Sequence, residues 1–179
     1  WWRARMLGGR TNHWGRISLR FGPHDFKGKS RDGLGEDWPI GYDDLKPWYD
    51  EVDRLVGIFG STEGLENHPD GIFLPPPRPR CWELLVKQAA DKHRVTCIPS
   101  RLSILTRPHN GRMGCHYCGQ CNRGCSVNAN FSSTNVLVLP ALETGRLTLI
   151  TGAMAREVTL DARGRADGVE EGNVFTVLR

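Results

Sequence analysis

The chain has 179 residues, enough for one domain with a real core. Its 24 Lys and Arg against 20 Asp and Glu leave a net charge of only +4, spread along the sequence, which gives no case for nucleic acid as a partner. No apolar run is long enough to span a bilayer, and no signal peptide opens the sequence. The first residues, Trp1-Trp2-Arg3, include no initiator Met, and Val174 to Arg179 read as a strand cut short, so a piece of a larger protein is expected. Cytoplasm and periplasm both stay open.

In chain order, a glycine turn comes first: Leu7-Gly8-Gly9-Arg10-Thr11-Asn12-His13-Trp14-Gly15. Ile17 to Phe21 alternates apolar and polar residues, which predicts a short strand. Residues 22–41, rich in Gly, Asp, Lys and Pro, read as loop. A helix is predicted over Tyr42 to Ile58, capped by Asp43 or Asp44, with Pro47 tolerable only in the first turn. Leu45, Trp48, Tyr49, Val52, Leu55 and Val56 recur at helical spacing and predict one apolar, core-facing stripe. Gly57 and Gly60 mark its end. Residues 61–80 read as a loop closing on the stiff Pro75-Pro76-Pro77-Arg78-Pro79, a rigid crossing between elements. A second helix is predicted from Trp82 to Lys92, then an extended, irregular stretch from Arg94 to Leu105. A third helix starts at Ser132 or Ser133 and runs to about Thr144, broken or kinked by Pro140. Arg146 to Gly152 and Met154 to Leu160 are β-rich. Asp161 to Arg165 is a hairpin-like turn into a strand from Ala166 to Glu170.

Four of the six cysteines, Cys115, Cys118, Cys121 and Cys125, fall within eleven residues as C-x2-C-x2-C-x3-C. This is the bacterial ferredoxin run, in which closely set thiolates wrap an iron–sulfur cluster. Gly114, Gly119 and Gly124 give the backbone the turns such a wrap needs. The run departs from that pattern at Ser126, where Pro is usual, and Cys125 is the least secure ligand. Disulfides, in an oxidising compartment, or free thiols are the alternatives. Zinc fits less well, because its two Cys pairs usually stand further apart. Cys81 and Cys97 are isolated and read as small buried hydrophobes. His116 is a candidate alternative ligand or hydrogen-bond partner beside the loop. His24, His68, His93 and His109 read as loop or surface histidines.

Several segments together resemble the glucose–methanol–choline (GMC) oxidoreductases. Gly8 to Gly15 is similar to that family's second flavin-contacting motif. Asp37-Trp38-Pro39-Ile40-Gly41-Tyr42-Asp43-Asp44-Leu45-Lys46-Pro47-Trp48-Tyr49 is similar to its WPIxYxDLxPYY helix start. Leu139 to Leu149 resembles the stretch returning to the flavin domain, and Gly164 to Glu170 its GrAtGVe strand. The nearest look is to bacterial sugar or gluconate dehydrogenase-like members, some of which carry a cysteine-rich insert at this place. The resemblance covers nearly the whole chain. It implies an α/β (α+β) fold: part of an FAD/NAD(P)-binding Rossmann-like domain, residues 1–22 and 131–179, with part of a substrate or cap region, 23–130.

It also implies FAD as cofactor and an alcohol or sugar as substrate, with hydride passing to the flavin and electrons going on to oxygen or to an acceptor protein. Gly8 and Gly9 would allow close backbone approach to the cofactor. Thr11, Asn12, His13, Trp14 and Gly15 would lie against its pyrophosphate and ring system. His13 stands where some members attach the flavin covalently; packing or hydrogen bonding near the ring is the simpler reading. Trp14 is either a wall beside the ring or a buried aromatic. Ala155, after the Thr151-Gly152 turn, corresponds to a backbone contact with the adenine. The G-x-G-x-x-G phosphate cradle is absent from this sequence, and the family's catalytic histidine lies in a region this sequence does not contain, so no catalytic residue is assigned. Against this flavoenzyme stands a small iron–sulfur or zinc module for electron transfer or interaction, which would have no use for the Gly8–Gly15 segment. A third reading is an inactive product of a truncated gene.

Overall fold

The computed structural model describes residues 4–171, and nothing of the side chains of residues 169–171. The expected cut strand from Val174 to Arg179 lies outside the described residues, as do Trp1 to Arg3. The chain divides into two compact units, with the boundary between Leu137 and Val138.

The first unit is organised by loops more than by regular elements. It holds helices α1 (Gly28–Asp32), α2 (Tyr42–Val56) and α3 (Cys81–Lys92), with 3-10 turns at Gly9–Asn12 and Pro23–Phe26 before them and at Cys121–Arg123 after them. α2 starts where the sequence predicts. The Asp44 carboxylate accepts the Gly41 N–H at 2.8 Å, one of the donors a helix start leaves free. It ends at Gly57, whose φ of +78° is left-handed and suits glycine. Pro47 sits in the second turn, later than expected.

The predicted core stripe of α2 is only half right. Leu45 and Tyr49 are half-buried and Val56 is buried, but Trp48, Val52 and Leu55 are exposed, Trp48 by 68%. The inward face carries Asp53 instead, because buried Arg20 comes up against it. The Arg20 Nη2 donates to Asp53 Oδ2 at 2.5 Å and to Asp50 Oδ1 at 2.6 Å. Its Nη1 donates to the Tyr42 hydroxyl at 3.2 Å. A second buried guanidinium, Arg101, pins the 61–73 loop by donating to the carbonyls of His68 (2.8 Å) and Pro69 (2.6 Å) and to Asp70 (3.1 Å).

No multi-strand sheet forms in the described part of this unit. Extended segments meet instead at single bridges: Ile17 with Leu102, Phe59 with Leu102 and Leu74, and Ile104 with Asn130. The strand predicted at Ile17 to Phe21 is one of these, paired at one position only, and Arg94 to Leu105 is irregular as expected. Around the bridges lies the core of Phe59, Leu74, Leu105 and Ala129, with Cys115, Cys125 and Val127 packed against it. Helix α3 buries none of its residues, and Cys81, expected inside, is exposed because it opens that solvent-facing helix. Cys97 is half-buried.

A π-helical turn, Thr134–Val138, leads into the second unit. There α4 (Leu139–Glu143) carries Pro140 in its first turn. Proline has no N–H for the carbonyl of Val136, so the regular α ladder cannot run unbroken through this point, which accounts for the predicted break. Strands β1 (Ala155–Leu160) and β2 (Ala166–Glu171) form an antiparallel hairpin, with Val158 opposite Val169. Its turn is closed by Asp161, whose carboxylate accepts from the N–H groups of Arg163 and Arg165 and from the Arg165 guanidinium. Residues 146–152 are not a strand. The described residues are therefore mixed α and β, and a nucleotide-binding parallel sheet is not among their elements.

Candidate functional site

The glycine turn of the sequence is a built loop. Gly8 has φ +85° and caps the 3-10 turn Gly9–Asn12. A side chain at Gly8 would stand 2.3 Å from Thr134 Oγ1, so packing and backbone both demand glycine there. Gly9 differs: its φ is +48°, yet nothing lies within 4 Å of where a Cβ would be. Its backbone is thus open to a close neighbour.

Thr11 locks the turn. Its hydroxyl donates to the Gly8 carbonyl at 2.5 Å and accepts the Ser133 N–H at 2.9 Å, with Ser133 Oγ also at 2.9 Å. The Thr134 hydroxyl donates to the Leu7 carbonyl at 3.0 Å. Asn12 closes the other side, its amide donating to the carbonyls of Leu7 (2.8 Å) and Gly9 (3.2 Å). Trp14 is half-buried, edge-on to Phe131 at 5.9 Å, with its indole N–H donating to the Phe131 carbonyl at 3.4 Å. His13 is half-buried, and Gly15 is exposed. The first unit therefore brings Gly8, Gly9, Thr11, Asn12, His13, Trp14 and Gly15 into one loop braced by residues 131–134. Ala155 lies in the second unit, exposed at the start of β1.

Sequence reasoning missed the residue that underlies this loop. Arg16 is 2% exposed with φ +61°. Its guanidinium folds back to donate to the Trp14 carbonyl at 2.5 Å and the Asn12 carbonyl at 2.9 Å. Its own carbonyl accepts from Ser103 N–H (2.9 Å) and from the hydroxyls of Ser18 and Ser103. Burial lowers its pKa, while the sulfurs of Cys121 and Cys125 pull the other way. Nothing in the sequence marks this arginine as buried. The only clue is that it directly follows the motif.

The cysteine loop does not converge as its spacing suggests. Among the described residues, no group of three or more His, Cys, Asp or Glu is placed to hold a metal ion. All six cysteines are free thiols, so the disulfide alternative also finds no pair. The reason lies in how the backbone is tied down. The Cys115 N–H donates to the Leu105 carbonyl at 2.8 Å and draws that residue to the core. Tyr117 and Gly119, at φ +59° and +71°, then swing the chain outward and leave Cys118 exposed. Cys125 returns to the core, where its sulfur accepts the Ala129 N–H at 3.3 Å. Burial would raise the Cys125 pKa, but backbone N–H groups of residues 127–130 outweigh it and hold the thiol below its usual range. Cys115, Cys118, Cys121 and Cys125 thus do not form a ligand set for a cluster or zinc in this structure, and exposed His116 adds none.

Residues 101–177, which span the cysteine loop and the hairpin, match a family model described as GMC oxidoreductase. Over these residues the chain is similar to the GMC oxidoreductases. It is 29% identical to paromamine 6'-oxidase of Streptomyces fradiae over 89% of its own length and 29% of that protein's. It is 28% identical to the fructose dehydrogenase large subunit of Gluconobacter japonicus over 91% of its length and 30% of that protein's. It is 36% identical to 2-methyl-1,2-propanediol dehydrogenase of Mycolicibacterium austroafricanum over 59% of its length and 20% of that protein's. The chain spans under a third of the length of these relatives. Among its described residues, no helix is long and apolar enough to cross a membrane.

Proposed function

We propose that this chain is part of an FAD-dependent oxidoreductase that oxidises the CH–OH group of an alcohol or sugar by hydride transfer to flavin. The single observation that carries the reading is the Gly8–Gly15 loop. Its backbone is locked by Thr11, Asn12 and Arg16, and at Gly9 it stands open to a close neighbour, the geometry a cofactor-facing turn requires. The relatives are named for paromamine, fructose and 2-methyl-1,2-propanediol, and one is named as a subunit, which supports a small hydroxylated substrate and a protein electron acceptor.

In this reading residues 1–22 and 131–179 belong to the flavin domain and 23–130 to the cap. The Thr11–Ser133 and Leu7–Thr134 bonds, which join residues 7–11 to 133–134 within the first unit, support grouping residues 1–22 with the start of the last segment. Gly8, Gly9, Thr11, Asn12, His13, Trp14 and Gly15 would hold FAD along one side, and Ala155 would meet it through its backbone. The cofactor, when bound, supplies hydride acceptance. This chain's part is to fix the loop, present His13 and Trp14, and exclude water with the Trp14–Phe131 pair. The base that takes the hydroxyl proton is not among its residues. No electron step is routed through Cys115, Cys118, Cys121 and Cys125, because they are not gathered.

The test is the visible spectrum of the purified full-length protein, with Gly9→Val beside the wild type. A yellow wild type and a variant stripped of flavin support the reading. A wild type without flavin absorbance overturns it. Iron and acid-labile sulfide measured in the same sample decide the cysteine loop: stoichiometric iron would show that the thiols regroup around a cluster.

A further inference from the structure

Arg16 is an expensive residue to bury. A guanidinium removed from water needs an anion or a full set of acceptors. Arg16 lacks the full set: among the described residues no carboxylate pairs with it, the sulfurs of Cys121 and Cys125 offset its charge only in part, and its Nε, fully buried, has no hydrogen-bond partner. Its backbone is also held at φ +61°, a conformation that strains a non-glycine residue. Glycine would remove both costs. What glycine could not do is hold the two carbonyls that the fork takes. One belongs to the Asn12–His13 peptide and the other to the Trp14–Gly15 peptide, so the fork brackets His13 and Trp14. Its base is equally fixed, because the Arg16 carbonyl is anchored by Ser103 and Ser18. One residue thereby ties the loop to the 101–105 segment at the centre of the unit.

We propose that Arg16 is a positioning residue for the flavin: its fork sets the Asn12–Trp14 turn that meets the cofactor, and its positive charge, buried under that turn, favours the flavin's reduced, more negative state. This rests on the flavin reading above. The two functions separate by substitution. Lysine keeps a charge but cannot bracket two carbonyls in one rigid plane, whereas methionine removes the charge at similar length.

The experiment uses the full-length flavoprotein and two readouts, the rate of flavin release and the oxidised-to-reduced flavin ratio in equilibrium with a reference dye. Arg16→Met is expected to release flavin faster and to raise the oxidised-to-reduced ratio at least about threefold, because a charge in a buried site acts with little screening. Arg16→Lys is expected to release flavin faster with a ratio near that of the wild type. A residue that only held the fold would change release in both variants and leave the ratio alone, and that result overturns the charge role. Variants that match the wild type in both readouts overturn the inference altogether. Should Arg16→Met fail to fold, Arg16→Gln, which also removes the charge, takes its place: faster release with a raised oxidised-to-reduced ratio supports the assignment, and an unchanged ratio overturns the charge role. A colourless wild type overturns the flavin reading and this inference with it, whereas a yellow wild type with unaffected variants overturns this inference alone.

Discussion

Thr11→Val tests whether the glycine turn is held by its hydroxyl. Valine keeps the shape of threonine, so no cavity opens and the change isolates the oxygen. That oxygen bonds to the Gly8 carbonyl at 2.5 Å and to the Ser133 N–H at 2.9 Å, and stands 2.9 Å from the Ser133 hydroxyl. Removing it strands the Ser133 N–H, while the Gly8 carbonyl keeps the Thr11 N–H at 3.1 Å. A buried group left unsatisfied costs about 1–3 kcal/mol. Thr11 is only half-buried, so water can reach part of the gap, and the expected cost is about 1–2 kcal/mol, a factor of about 5–30 in how often the turn opens. Hydrogen exchange of the peptide covering residues 131–135 reads this directly, since the Ser133 N–H loses its acceptor. It should exchange about 5–30 times faster in Thr11→Val and at the wild-type rate in Thr11→Ser. Ser133→Ala, which keeps the N–H bond, should fall between them. Unchanged exchange in Thr11→Val would refute the claim that this hydroxyl ties the loop to residues 131–134.

Local rules made part of this legible in the sequence. The start and stop of α2 follow from Asp44 and Gly57 alone, and the hairpin turn from Asp161 and Gly164, so these were predictable within a residue or two. The face of α2 was not. Periodicity ranks Val52 and Leu55 above Asp53 as core residues. The order reverses only because Arg20, more than thirty positions away, arrives with two charged hydrogen bonds. The same holds at the site. Its residues were legible as a contiguous motif, but the brace was not, since Ser133 and Phe131 lie over a hundred residues downstream. The cysteine spacing was a true pattern with an outcome set elsewhere. The Leu105 carbonyl and the Ala129 N–H hold Cys115 and Cys125 to the core, so local spacing could not decide where the sulfurs point.

Three further perturbations test the scaffold. Leu105→Ala, at a position with no exposed surface, should cost about 3–5 kcal/mol in urea denaturation and speed thiol labelling of Cys115 and Cys125 while leaving exposed Cys118 unchanged. Gly57→Ala would set a Cβ 2.4 Å from Leu105 Cδ2 and 2.8 Å from His109 Cδ2 at φ +78°, costing about 2–4 kcal/mol. Combined with Leu105→Ala, it should cost less than the sum of the two, by about 0.5–3 kcal/mol. The third concerns the anchor of α2. Arg20→Met leaves Asp53 buried beside nothing positive, and stability should fall by about 3–5 kcal/mol at pH 7. Adding Asp53→Leu removes the stranded charge but also the acceptor of the Ile72 N–H at 2.9 Å, so recovery should stop about 1–3 kcal/mol short of wild type. The pH dependence follows from the same groups. Burial would raise the pKa of Asp50, but its bonds to Arg20 and Lys46 outweigh this and lower it. A lowered folded-state value means that the contribution is complete above the unfolded value of about 4 and is lost as pH falls through the folded one. Asp53 is shifted upward by deeper burial, so its contribution has the opposite slope and shrinks as pH rises through its folded value. Urea midpoints measured from pH 7 downward should therefore show an acid-side loss that Asp50→Asn reduces. A loss of equal size in that variant would mean that Asp50 does not carry the acid sensitivity of the anchor.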